Sequence, residues 1–201
     1  MTVKSLTRSS LVNNRWYENM LVGNAAYVPP QPGYEWLETQ VLTGTQATVS
    51  FSNLNSNYGS TYQHLQIRAT GRTTRGGFLS DVLKLEFNTD TTSGNYKYHQ
   101  LFGNGSTLTS ANNPYFSFAT AADGSTNLFG AIILDILDPF ETTKNKTVRS
   151  LAGHTSGSDQ TIEVGSMAWF STAAVTSIQL KSWTGNSWVS GTRFSLYGMR
   201  S

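Results

Sequence analysis

Cysteine is absent from the 201 residues, which removes disulfides, zinc–thiolate sites and thiol nucleophiles together. Charge is scarce too, at 13% of the chain, about half the share usual in globular proteins. The 14 Lys and Arg against 12 Asp and Glu leave a net charge of +2. No run of Lys or Arg exists to make the concentrated basic patch that nucleic-acid binding needs. The longest apolar run, around Ala131-Ile-Ile-Leu134, is far short of a membrane span. Neither nucleic acid nor a membrane is therefore an expected partner. Met1 to Ser10 lacks the apolar stretch of a secretory leader, so none is expected. A glycine-rich phosphate loop and a Gly-x-Ser-x-Gly elbow are also missing, which leaves nucleotide and hydrolase chemistry without local support.

What is present is neutral and polar. Ser and Thr make up about a quarter of the chain, beside 5 Trp, 9 Tyr and 10 Phe. Disordered chains are poor in aromatics and rich in charge, so this mixture reads as folded. β-branched and aromatic residues alternating with neutral polar ones read as an all-β protein.

Residues 1–33 differ from the rest. Lys4, Arg8 and Arg15 are interspersed with Trp16, Tyr17, Met20 and Leu21, and Tyr27-Val-Pro-Pro-Gln-Pro-Gly33 follows. Pro29 and Pro30 favour an extended, polyproline-like connector. A short helix over 11–21 has weak support, because Asn13, Asn14 and Asn19 are poor helix formers. Two readings stand: an arm that docks on a partner through Arg8, Arg15, Trp16, Tyr17, Tyr27, Pro29 and Pro30, or an arm that folds back on its own sheet.

From Tyr34 to Ser201, strand signals recur every 8–15 residues. They fall over 35–42, 47–51, 64–70, around Leu83 to Phe87, around Tyr96 to Gln100, and over 128–137, 146–154, 161–170, 175–181 and 193–199. The 128–137 run reads as buried on both faces. Turn chemistry separates the strands at Gly103-Asn-Gly105, Asp123-Gly124, Ser156-Gly157 and Thr184-Gly-Asn186. No convincing helix follows residue 34. The expected fold is an all-β, jelly-roll-like sandwich over 34–201, preceded by the extended arm.

Candidate chemistry is thin. His64, His99 and His154 share no ligand spacing and read as polar sheet-face residues, so no metal is expected. Asp135 and Asp138 could serve glycoside hydrolysis only across a cleft. Structural roles suit them better, with Asp135 paired to Arg149, Lys146 or backbone donors. Asn88 to Asn95 alternates oxygen ligands but lacks the acid density of a calcium loop, and reads as a hairpin loop. Arg72-Thr-Thr-Arg-Gly-Gly77 could meet a phosphate or a sugar acid, but reads as a flexible, solvated loop. Trp169, Trp183 and Trp188 are sugar-stacking candidates that suit a core or a subunit contact better. No catalytic residue and no cofactor is expected.

Several ordered motifs resemble one group of proteins. They are Ser5-Leu-Thr-Arg8 with Met20-Leu-Val-Gly-Asn-Ala-Ala-Tyr-Val-Pro29, Tyr62-Gln-His-Leu-Gln-Ile-Arg68, and Tyr96-Lys-Tyr-His-Gln-Leu-Phe-Gly-Asn-Gly-Ser106. Asp135-Ile-Leu-Asp138 with Lys146-Thr-Val-Arg-Ser150 and the ending Gly191-Thr-Arg-Phe-Ser-Leu-Tyr-Gly198 complete the series. In this order they resemble small structural proteins of tailed phages from marine and fresh water, cyanophages among them. The resemblance implies a non-enzymatic virion component, assembled in the host cytoplasm and carried on the particle. The expected partners are further copies of the chain, as a homotrimer, and major capsid or tail proteins. Head decoration or cementing is the first expectation. A tail appendage that binds host surface glycans is the second, and a carbohydrate-active enzyme is the rival from another class.

Overall fold

The computed structural model describes residues 33–157 and 159–200. The arm residues Arg8, Arg15, Trp16, Tyr17, Tyr27, Pro29 and Pro30 lie outside them. Within Tyr34–Ser201 the strands are β1 (Glu35–Val41), β2 (Thr48–Phe51), β3 (His64–Gly71), β4 (Ser80–Phe87), β5 (Tyr96–Gly103) and β6 (Leu108–Ala111). β7 (Phe116–Thr120), β8 (Gly130–Leu137), β9 (Lys146–Ser156), β10 (Asp159–Trp169), β11 (Ile178–Ser182) and β12 (Arg193–Met199) follow.

The pairing is nested. β1 pairs β12, β2 pairs β11, β3 pairs β8 and β4 pairs β7, all antiparallel. Successive pairs alternate between two sheets, so the chain is one long hairpin rolled up, which is the jelly-roll form of the sandwich. The small sheet has the order β2-β11-β4-β7. The large one begins β1-β12-β3-β8 and continues through β9-β10-β5-β6. Two hairpins, β9–β10 and β5–β6, therefore extend the large sheet beyond β8.

Period-2 alternation sets the core. Leu65 and Ile67 of β3, Ile132, Leu134 and Ile136 of β8, and Phe194 and Leu196 of β12 point inward from the large sheet. Val49 and Phe51 of β2, Leu83, Leu85 and Phe87 of β4, and Ile178 and Leu180 of β11 meet them from the small sheet. Each such side chain contributes about 1.5–3 kcal/mol by leaving water. Trp188 closes one end, its ring edge-on to Phe194 at 5.1 Å between centroids.

Five expectations need correction. β8 is buried on one face only, because Ala131 and Leu137 are exposed and Ile133 is half-buried. A short helix, α1 (Leu54–Tyr58), follows β2 and buries Leu54. β6 and β7 escaped the pattern: β6 is largely exposed, and β7 contains a left-handed Ser117 (φ 64°) opposite a register shift at Val82/Leu83. The 88–95 segment is not a hairpin loop. It crosses from β4 in the small sheet to β5 in the large one, and Asp90 clasps it by accepting from Trp169 Nε1 at 2.8 Å, Asn95 Nδ2 at 2.8 Å and Thr92 N at 2.9 Å. Nor is the start of the 72–77 loop loose. The Arg72 guanidinium donates to the carbonyls of Ser125, Leu128, Ala122 and Gly124 at 2.6–3.1 Å.

Candidate functional site

The hairpin β9–β10 carries apolar side chains on both faces: Val148, Ala152, Met167 and Trp169 inside, Leu151, Ile162 and Val164 outside. Met167 and Trp169 of β10 are buried in the core, and alternation then forces Gly165, Glu163 and Thr161 inward too. Val164 and Ile162 face outward and are 52% and 64% exposed. On β9 the same parity buries Val148, Ser150, Ala152, His154 and Ser156 and exposes Leu151.

The exposed apolar residues are in register. Ile133 of β8 is partnered by Leu151 of β9, which is partnered by Val164 of β10, which is partnered by Leu101 of β5. The next row runs Ala131, Gly153, Ile162, Gly103, Leu108, with Leu108 73% exposed. Beside Gly153 lies a shallow open groove of about 420 Å³ floored by Ala131, Ile133, Leu151 and Ile162. The edge strand β6 reads Leu-Thr-Ser-Ala, without the charge or proline that blunts a sheet edge. The row on the other side is polar: Asp135, Arg149, Ser166, His99.

Beneath this face the interior is polar. Both carboxylate oxygens of Glu163 are buried without a hydrogen-bond partner among the described residues, as are the amide of Gln100 and the hydroxyls of Ser117, Thr120 and Ser150. Burial pushes the Glu163 carboxyl up to about 7, against a weaker pull from Ser117 N–H and the Ser150 hydroxyl, neither aligned for a full hydrogen bond. His154 Nε2 lies 3.3 Å from Asp159 Oδ2, also without hydrogen-bond alignment. Buried Lys146 differs, because its Nζ donates to the carbonyls of Glu141, Lys144 and Thr172. Unmade hydrogen bonds inside and apolar rows outside both work against stability in an isolated subunit.

The opposite end of the same outer face is aromatic and cationic. Trp36 of β1 is partnered with Tyr197 of β12. The Arg68 guanidinium of β3 lies over the rings of Tyr34 and Tyr197, 5.2 and 4.8 Å from their centroids. A hydrogen-bonded chain leads away from it. Arg68 Nε donates to Gln66 Oε1 at 2.7 Å, Gln66 Nε2 to Asp135 Oδ1 at 2.6 Å, and Arg149 Nη2 to Asp135 Oδ2 at 2.7 Å.

The residues singled out from sequence scatter. Asp135 takes Arg149 rather than Lys146, and adds Gln66. Asp138 binds Lys144 and Gln63, and its backbone N–H donates to His64 Nδ1. Of the three histidines, His99 is exposed on the outer face, His64 is half-buried, and His154 points into the interior, contrary to its reading as a polar sheet-face residue. Among the described residues no three of His, Asp and Glu gather as metal ligands, and no helix is long and apolar enough to cross a membrane. Trp169 and Trp188 are core, while Trp183 is partly exposed. Leu151, Ile162, Val164, Tyr34 and Trp36 were missed as site residues. The signal was the parity of β10: once Met167 and Trp169 point inward, Ile162 and Val164 cannot.

No family model, no curated protein and no solved structure matches the chain.

Proposed function

We propose that this chain is a non-enzymatic structural protein of a phage virion that assembles with copies of itself, and whose first station is decoration of the head. The observation that carries the reading is the in-register apolar row Ile133, Leu151, Val164, Leu101 on the outer face of β8, β9, β10 and β5. A contiguous exposed apolar patch of this kind marks an interaction surface. A second copy suits it. The bordering row carries the opposite charges Asp135 and Arg149, so two like faces can meet without setting one sign against itself. The low total charge means that few ions lose water in such a contact. In this reading the arm, through Arg8, Arg15, Trp16, Tyr17, Tyr27, Pro29 and Pro30, attaches the assembly to a major capsid or tail protein. The motif order described above supports the virion setting.

Sedimentation velocity on the full chain tests the self-contact. A wild-type oligomer that falls to monomer in Leu151→Glu/Val164→Glu supports it, and a wild-type monomer at every concentration reached ends it. Deletion of residues 1–30 tests the anchor. A truncated protein that still co-sediments with particles at full occupancy removes the arm from that role.

A further inference from the structure

The outer face of the large sheet has a second half, β1-β12-β3, that the apolar rows do not reach. Three aromatic residues meet there. Trp36 is 62% exposed and Tyr34 49%, and Tyr197 lies beside Trp36 across the β1–β12 ladder. None of the three serves the core, because Phe194 and Leu196 carry the inward face of β12. Their positions are braced. Trp36 Nε1 donates to Thr39 Oγ1 at 2.8 Å, and Thr39 Oγ1 in turn meets Ser195 Oγ at 2.8 Å. Arg68 is held between Tyr34 and Tyr197, and its Nε is fixed by Gln66. Holding the rings in place before a ligand arrives reduces the entropy that binding must overcome.

We propose that the Tyr34–Trp36–Tyr197 surface, braced by Arg68, is a saccharide-binding subsite that takes a pyranose ring of a polysaccharide chain. The C–H face of a pyranose stacks on an exposed indole or phenol ring, whose π-face is electron-rich. Beyond the Nε–H held by Gln66, the exposed Arg68 guanidinium supplies donors to sugar hydroxyls or to a uronate carboxylate. The only acid in this polar chain, Asp135, is already engaged by Gln66 and Arg149, so it presents little free negative charge to such a carboxylate. The inference is independent of self-assembly, because it uses the half of the sheet that the apolar rows leave free.

The test uses the full chain on an array of neutral and uronic-acid oligosaccharides, followed by affinity electrophoresis in gels that contain the best soluble polysaccharide. Retention by wild type is expected, with about a tenfold loss in Trp36→Ala and in Tyr34→Ala. Trp36→Phe should recover part of the retention, and melting temperatures should stay unchanged because both side chains are exposed. A preference for uronic acids that Arg68→Gln abolishes would assign the guanidinium its carboxylate. No retention on any member of the array overturns the proposal. So does retention that Arg149→Ala removes while Trp36→Ala and Tyr34→Ala leave it intact.

Discussion

Glu163 bends over Gly165, its neighbour on the inner face of β10. A Cβ added to Gly165 would sit 2.7 Å from Glu163 Oε1 and 2.5 Å from Ser150 Oγ across the ladder. The missing side chain makes room for a carboxyl that is buried and without a completed hydrogen bond. That carboxyl titrates near 7 rather than at its ordinary 4.5, because burial disfavours its charge.

A pH dependence follows, and its sign is fixed. The folded state holds the Glu163 proton more tightly than the unfolded chain does. Its contribution is complete below pH 4.5, falls as pH rises, and is lost by about pH 7. On the order of 3 kcal/mol of stability is lost across that window. His154 on β9 and Tyr98 on β5 also face this interior, so the difference between wild type and Glu163→Gln isolates the carboxyl. Denaturant titrations at pH 5 and pH 8 should show wild type weaker at pH 8 and Glu163→Gln nearly level. A variant that retains the full wild-type slope would mean that the carboxyl is not the titrating group.

Gly165→Ala should destabilise by about 1–3 kcal/mol, the range for overpacking a tight interior site. Glu163→Ala in the same chain should recover much of that loss by clearing one of the two clashes. The double-mutant cycle, read by chemical denaturation, should therefore give a coupling of about 1 kcal/mol or more. Additive effects would show that the two residues do not share this space.

The contrast between these positions and the core shows what was legible in the sequence. β3 carries apolar residues at one parity and polar residues at the other, β12 has Phe194 and Leu196 at a single parity, and both were placed within a residue or two of where they lie. β6 has no such contrast, and β7 is broken by the left-handed Ser117, so neither announced itself. The outer face was hidden for a different reason. Ile162 and Val164 look like core residues in isolation, and only the inward placement of Met167 and Trp169 on the same strand gives them their outward parity. The Tyr34–Trp36–Tyr197 cluster joins residues from both ends of the chain, which no local spacing can reveal.

Arg72 holds the turn that leads from β7 to β8. Its guanidinium donates to four carbonyls between Ala122 and Leu128. Arg72→Ala should cost about 2–3 kcal/mol, since bonds from a charged donor exceed neutral ones but the site is partly solvated. Arg72→Lys should recover only a minor part, because an ammonium cannot span the planar fork. Hydrogen exchange should locate the loss in the amides of 121–128. Exchange that speeds up uniformly over the whole domain would instead assign Arg72 to global stability.

Asp90 acts at the other end of the pH scale. Its carboxylate accepts from the Trp169 indole, Asn95 and the Thr92 backbone, and these bonds pull its titration well below the ordinary 3.8, the indole contributing most. A depressed carboxyl stabilises the fold at pH values above its ordinary range and loses that contribution as acid protonates it. Asp90→Asn keeps the shape but gives up the charge on the acceptor, and should cost about 1 kcal/mol at pH 7. The difference from wild type should shrink below pH 3.8, in the direction opposite to the Glu163 effect. Trp169 reports the event directly, because its Nε1 loses a charged acceptor while its ring stays against Phe87 at 5.4 Å between centroids. Indole proton shifts followed through an acid titration should therefore move in wild type and stay still in Asp90→Asn. Identical titration curves for the two proteins would show that the clasp does not depend on the charge of Asp90.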